Sequence, residues 1–197
     1  EALEITNKLL QLAREKGKDL EPETFDIVAE TRAKLDEIRD FAAAHTVELE
    51  LTVPETAPIM VHTDRESFNL AVENIVSNSI KYSYPEGKVT VHVEKWRHKG
   101  MVIVVDHGIG IPEEFMPGIY DEFSRARNAR KHNSLGTGLG MPIVRQAAVN
   151  MGGNVTVRSI NSQGTVVRLT VPLVQRRNET PEELPAPDET TAPTQTQ

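Results

Sequence analysis

The stretch LGTGLGMPIV, residues 135–144, carries glycine at positions 136, 138 and 140 and proline at position 142. Three glycines this close together weaken any regular element, because glycine loses the most backbone freedom on folding. We therefore expect something to approach this backbone closely, or the segment to move. Pro142 indicates that a helix begins here, since a proline in the first turn lacks only an N–H that would be unpaired anyway. Backbone N–H groups just before a helix favour an anion.

Neither of the two common phosphate-binding signatures is present. The glycine spacing is not the G-x-G-x-x-G of dinucleotide folds, and no G-K-[ST] occurs to form a P-loop. The chain has 197 residues, 38% of them hydrophobic and 26% charged, as in ordinary globular domains. It has no cysteine, which excludes disulfides and thiol catalysis. The net charge of -7 argues against nucleic acid as the main partner, and no apolar run predicts membrane contact by this chain.

Hydrophobic periodicity predicts a series of helices and strands. Helices are expected over about 1–16, 22–44 and 64–82, the last with Asp64 as N-cap, and again after Gly140. Strands are expected over 46–54, 88–96 and 100–106, and a final hairpin over 152–173. This order predicts an α/β protein of the α+β two-layer type, with a mixed sheet covered on one face by helices.

The predicted helix over 64–82 carries an unusual polar cluster. Asn74 and Asn78 are four residues apart and share one helix face, and Lys81 lies close to the same stripe. Asparagine is a mediocre helix former, so two of them among Ile and Val need an explanation. Neutral oxygen ligands beside a lysine suit Mg²⁺ with attached phosphates, although a solvent-exposed polar face is the simpler interpretation.

Two further clusters lie between this helix and the glycine stretch. In VVDHGIGIP, residues 104–112, Asp106 ends an apolar strand, where it caps a turn or accepts a hydrogen bond from an amine in an apolar pocket. In residues 119–135, Tyr120 and Phe123 are expected to anchor a basic segment. In an acidic protein this segment indicates a mobile loop that closes over a polyanion, or else a solvated surface loop.

In this order, the clusters resemble the ATP-binding catalytic domain of bacterial two-component sensor histidine kinases. That domain has the Bergerat fold, shared with gyrase-type and chaperone ATPases. The match covers roughly residues 24–174. NIVSNSIKYS is similar to the N box, DHGIGI to the first glycine box, YDEF to the F box and GTGLGMPIV to the second glycine box. The resemblance divides the rest of the chain into the end of a dimerisation helix with a linker (1–20) and the catalytic domain (21–174). Residues 175–197 are acidic, rich in Pro and Thr and poor in residues that could be buried, so they are predicted to be a disordered tail.

The resemblance also implies roles for individual residues, with ATP and Mg²⁺ as cofactors. The residues implied at Mg²⁺ and phosphate are Asn74 and Asn78 as metal ligands, with Lys81, Gly136, Thr137, Gly138, Leu139 and Gly140 around the triphosphate. The residues implied at adenine are Tyr82, Asp106 as acceptor of the amino group, Gly108, Gly110, Ile111 and Thr165. The residues implied at the start of the ATP lid are Tyr120, Phe123 and Arg125.

The chain departs from the family pattern in places. His107 stands where the family usually has asparagine, Tyr120 where phenylalanine is common, and no histidine lies in the H-[ED]-x-x-[TN]-P setting of the phosphoacceptor. The resemblance therefore implies transfer of the ATP γ-phosphoryl group to a histidine on a dimerisation domain absent from this chain. A response regulator would act downstream, and no catalytic base is assigned.

The implied location is cytoplasmic, and a membrane anchor elsewhere in the parent protein stays open. Two alternatives also stay open. One is another ATPase or serine kinase of the superfamily. The other is a non-catalytic nucleotide-sensing scaffold, which His107 would favour and the intact N box would not.

Overall fold

The computed structural model describes residues 2–55, 58–133 and 136–174, and the tail predicted over 175–197 lies outside them. The α-helices of the described ranges are α1 (Ala2–Gly17), α2 (Ile27–Ala44), α3 (Arg65–Tyr82), α4 (Arg127–His132) and α5 (Gly140–Asn150), with a 3-10 helix over Glu113–Gly118. The strands are β1 (Pro22–Asp26), β2 (Glu48–Thr52), β3 (Met60–Asp64), β4 (Lys88–Trp96), β5 (Lys99–Asp106), β6 (Asn154–Ile160) and β7 (Gly164–Pro172). None of the described helices has the length and apolarity needed to cross a bilayer.

The main sheet is mixed, as predicted. Its strand order is β2-β4-β5-β7-β6, with β2 parallel to β4 and the remaining pairs antiparallel. Helices α2, α3 and α5 pack against this sheet. The predicted fold class, a mixed sheet covered by helices, is therefore confirmed.

The core forms where alternate strand residues meet these helices. Val91 pairs with Val104, which pairs in turn with Val167, and all three are buried. Because side chains alternate across a strand, the cross-strand partners two positions further along β4, β5 and β7 face the same side of the sheet. There Asp106 lies between Val89 and Thr165. The buried face of the sheet thus ends in a carboxylate.

The prediction of one helix over 22–44 is wrong at its beginning. Residues 22–26 form β1, which pairs antiparallel with β3, a strand that the sequence pattern did not predict. Phe25 is buried against Phe68, with ring centroids 5.5 Å apart. Asp26 starts α2 by accepting from the Val28 amide at 3.0 Å. Pro22 and Glu23 suit a helical first turn, but the pairing partner is remote in sequence and outweighs that local preference.

Local signals at the other helix ends are confirmed. Asp64 caps α3 by accepting from the Ser67 amide at 2.8 Å. Pro142 lies in the first turn of α5. Gly152 follows the C-cap of that helix with a φ of +64°, and the Gly153 amide donates to the carbonyl of Ala148 at 2.8 Å. A glycine in the left-handed conformation is the common way to close a helix.

Helix α1 packs along α5 rather than projecting away from the domain. Leu12 is buried in a small cluster with Leu139 and Ile143. One turn further on, the buried Glu15 carboxylate accepts from the Ser67 hydroxyl at 2.7 Å and from the Asn150 side chain at 2.8 Å. An apolar contact and a hydrogen-bonded carboxylate together fix the register of α1.

Candidate functional site

A concave pocket opens where the end of β5 meets α3 and the start of α5. Most of the predicted site residues line it: Asn74, Asn78, Lys81, Tyr82, Asp106, Gly110, Ile111, Arg125, Gly136, Thr137, Gly138, Gly140 and Thr165. Apolar side chains such as Ile75, Met141 and Val167 form the wall between them. An apolar pocket with a few convergent polar groups is the usual form of a small-molecule site.

Asn74 and Asn78 bring amide oxygens to one end of the pocket. The Asn74 side chain is 2% exposed, and its Nδ2 donates to a backbone carbonyl of its own helix at 2.7 Å. Its Oδ1 accepts from the Lys8 ammonium at 2.7 Å, so this oxygen already interacts with a cation. Asn78 lies against Gly140, where an added Cβ would be 2.9 Å from the Asn78 Nδ2. Neutral oxygen donors of this kind fit a divalent cation such as Mg²⁺.

Asp106 brings a buried carboxylate to the other end of the pocket. Its side chain is 5% exposed, and its Oδ1 accepts from the Gly108 amide at 3.0 Å and the Thr165 amide at 3.1 Å. Burial raises the pKa of Asp106 above its ordinary value, although these two amides and the Ser79 hydroxyl oppose the increase. Both amides use Oδ1, and the Ser79 hydroxyl also hydrogen-bonds to this carboxylate.

A serine that the sequence analysis did not identify supports this end of the pocket. Ser159 Oγ donates to the Gly164 carbonyl at 2.8 Å. It therefore accepts from the Thr165 hydroxyl at 2.9 Å and from the Ile111 amide at 2.8 Å. A single serine in an alternating strand gives no signal of this kind, because its partners lie on two other segments of the chain.

The glycines of the 136–140 stretch contact the protein itself. Gly138 has a φ of +72°, and an added Cβ there would be 2.7 Å from the backbone of Phe123. At Gly136 an added Cβ would be 2.8 Å from the Arg125 guanidinium. The close approach predicted for this backbone therefore occurs, and its partner is the segment around Phe123 and Arg125.

The segment that contains Tyr120, Phe123 and Arg125, predicted to begin an ATP lid, is held at several points. Tyr120 is half-buried and donates from its hydroxyl to the Val155 carbonyl at 3.2 Å. Phe123 is 52% exposed, so of the two predicted aromatic anchors only Tyr120 is even partly buried. The segment continues into α4, where Asn128 Nδ2 donates to the Gly110 carbonyl at 2.8 Å. A short helix thus stands where a loop was predicted.

Four of the predicted residues are not among those lining the pocket: Gly108, Tyr120, Phe123 and Leu139. Gly108 lies beneath the site, where an added Cβ would be 2.0 Å from the Tyr82 carbonyl oxygen. Leu139 is fully buried in the cluster with Leu12. Gly108 and Leu139 therefore pack behind the residues that line the pocket.

Helix α1 contributes two pocket residues that sequence reasoning missed, Glu4 and Lys8. Lys8 reaches Asn74 as described, and burial lowers its pKa, with the Glu73 carboxylate opposing. The Glu4 carboxylate lies 3.8 Å from the Lys81 ammonium. Nothing in the local pattern of α1 indicates these contacts, because they depend on how the helix docks.

Comparisons with known proteins agree with this architecture. Residues 63–175 match the family described as histidine kinase-, DNA gyrase B-, and HSP90-like ATPase. The chain is similar to the sensor histidine kinase WalK of Bacillus subtilis (29% identity, 90% of this chain and 29% of that protein). It is also similar to the sensor histidine kinase YkoH of the same organism (31% identity, 84% and 35%). The chain thus spans about a third of the length of these relatives.

A solved structure shows the same likeness. The mycobacterial sensor histidine kinase MprB aligns with a TM-score of 0.66 at 26% identity, over 78% of this chain and 98% of that one.

Proposed function

Because this chain belongs to the family of histidine kinase-, DNA gyrase B- and HSP90-like ATPases, we propose that its pocket binds Mg·ATP as the catalytic domain of a sensor histidine kinase. The kinase would present the γ-phosphoryl group to a histidine on a dimerisation segment outside this sequence. The named relatives, all sensor kinases, favour this function over that of a gyrase-like clamp or a serine kinase.

The observation that carries the proposal is the arrangement at Asp106. Its Oδ1 is engaged by two backbone amides, while the carboxylate lies at the end of an apolar pocket. A buried carboxylate oxygen in such a place would accept a hydrogen bond from the exocyclic amine of adenine. The guanine ring has a carbonyl at that position, which the carboxylate would repel. Tyr82, Ile111 and Thr165 line the same region.

At the other end of the pocket, the chain's own residues would orient the phosphates. Asn74 and Asn78 would hold Mg²⁺ through their side-chain oxygens, and Lys81 would contact phosphate oxygen. When bound, Mg²⁺ neutralises charge on the phosphates during transfer. The start of α5 adds backbone N–H groups that favour an anion. Arg125 and α4 would cover the nucleotide as a lid.

We assign no general base to this chain, since phosphoryl transfer depends mainly on positioning and charge neutralisation. The product phosphohistidine would pass its phosphoryl group to a response regulator. The proposed location is the cytoplasm, where ATP is available.

Calorimetric titration with a non-hydrolysable ATP analogue, with and without Mg²⁺, tests this function. We expect Asn78→Ala to lose most of the Mg²⁺-dependent gain in affinity. Asn69→Ala is the matched control, because Asn69 is on the same helix but donates to Glu30 outside the pocket. A chain that binds no nucleotide, or an Asn78→Ala variant with an unchanged Mg²⁺ response, would contradict the proposal.

Radiolabelled ATP provides a second test. The chain alone should bind the nucleotide without becoming labelled, since none of its histidines has the phosphoacceptor setting. Label appearing on any of them would refute the assignment of the acceptor to another segment.

A further inference from the structure

One face of α1 runs from an anchored end to the pocket. Leu12 and Glu15 are buried in the contacts with α3 and α5 described above. Glu4 and Lys8 lie on the same face, because residues four apart stack on a helix. The anchored end therefore determines where these two charged side chains reach.

Lys8 and Glu4 contact Asn74 and Lys81, the residues proposed to bind Mg²⁺ and phosphate. The Lys8 ammonium is 2.7 Å from the Asn74 Oδ1, and the Glu4 carboxylate is 3.8 Å from the Lys81 ammonium. A cation thus sits on the proposed metal ligand, and an anion faces the proposed phosphate ligand. Bound Mg²⁺ would likewise place a positive charge at Asn74, and a bound phosphate group would place a negative charge at Lys81.

We propose that α1 is a built-in competitor of Mg·nucleotide, with Lys8 in the place of the metal ion and Glu4 in the place of a phosphate. This inference rests on the proposed function, since it takes Asn74 and Lys81 as ligands of Mg²⁺ and phosphate. Binding of Mg·ATP displaces both side chains from these ligands. The docking of α1 therefore sets the affinity of the site, and a change in its docking changes that affinity.

The Lys8 contact is the stronger of the two. Asn74 is buried, and a hydrogen bond to a charged group is typically worth about a factor of ten or more in an equilibrium. Glu4 and Lys81 are partly exposed, so their interaction is screened and corresponds to about twofold.

The test is calorimetric titration of the ATP analogue into the wild-type chain and into Lys8→Met, which keeps an unbranched side chain and removes the ammonium. We expect Lys8→Met to bind about tenfold more tightly with Mg²⁺ and to change little without it. Glu4→Gln should bind about twofold more tightly in both conditions. Lys16→Met is the matched control, because Lys16 is on the same helix and pairs with Glu122 instead.

Each result has a distinct meaning. If Lys8→Met binds more weakly with and without Mg²⁺, Lys8 is a phosphate ligand and the competitor is refuted. Equal affinities of Lys8→Met and wild type in both conditions also refute it, while the wild-type binding upholds the proposed function. If no chain binds nucleotide, both proposals fail. Lys8→Gln, also neutral, replaces Lys8→Met if thermal unfolding shows that the latter is not folded.

Discussion

Replacing Asp106 with asparagine should weaken adenine-nucleotide binding strongly and leave the fold intact. In Asp106→Asn, the amide oxygen can still accept from Gly108 and Thr165, which both use Oδ1 in the wild type. The second carboxylate oxygen becomes an NH₂ group, so a donor faces the adenine amine instead of an acceptor. A hydrogen bond to a charged group contributes about 1.5–3 kcal/mol, and an unpaired buried donor costs about 1–3 kcal/mol more.

These contributions place the loss at about 3 kcal/mol or more, which is on the order of 100-fold in Kd. The thermal stability of Asp106→Asn should not fall together with its nucleotide affinity. Burial raises the pKa of Asp106, so the ionised carboxylate costs stability as the pH rises above the pKa of the unfolded chain. At pH 7 a neutral asparagine avoids this cost, and we expect a Tm equal to or above that of the wild type.

The assay is calorimetric titration of the ATP analogue into both chains, together with thermal unfolding. A guanine nucleotide is an internal control, because its ring carbonyl can accept from the new NH₂ group; the preference for adenine should shrink or reverse. Adenine-nucleotide affinity within about twofold of wild type would refute the role of Asp106. A clear drop in Tm would refute the account of its stability.

Two further predictions concern stability. Gly138→Ala should lower the free energy of unfolding by about 1–2 kcal/mol, because the φ of Gly138 is +72° and the new Cβ would lie 2.7 Å from backbone. Gly17→Ala is the control and should not lower it, because the space around Gly17 is open. Denaturant titration of both variants measures these free energies. Hydrogen bonds from Lys18 and from two backbone amides outweigh the effect of burial and lower the pKa of Asp64 to about 2. The ionised Asp64 therefore contributes about 2 kcal/mol to the free energy of unfolding above the pKa of the unfolded chain, and this contribution is lost as the pH falls towards 2. Asp64→Asn should thus be less stable than wild type at pH 7, and the two free energies of unfolding should converge in acid. The surface variant Asp36→Asn is the control and should show no such change. A difference between Asp64→Asn and wild type that does not vary with pH would contradict the second prediction.

The sequence predicted those features that depend on near neighbours. The shared face of Asn74 and Asn78 follows from helical spacing, and the caps at Asp64 and Gly152 follow from residue preference at helix ends. The position of Asp106 at the end of an apolar strand likewise indicates a carboxylate beside an apolar pocket. The structure brings these residues to one pocket, while their roles towards ATP stay predictions.

The features that were missed depend on remote pairing. Strand β1 forms only because β3 is available, and its own five residues read equally well as the start of a helix. Ser159 becomes important only when two other segments reach its hydroxyl. Lys8 lies 66 positions from Asn74 in sequence. No periodic pattern reports contacts over such separations.

The close packing of the glycines has a consequence for how such sequences are recognised. Gly108 and Gly138 admit no side chain because protein backbone already fills the space. Selection for a folded domain would therefore retain both glycines in a descendant that had lost its nucleotide. A decayed relative would keep the glycine signature and first lose Asp106 or Asn74. If Asp106 and Asn74 bind the nucleotide as proposed, those two side chains, rather than the glycines, would distinguish an active member of the family from an inactive one.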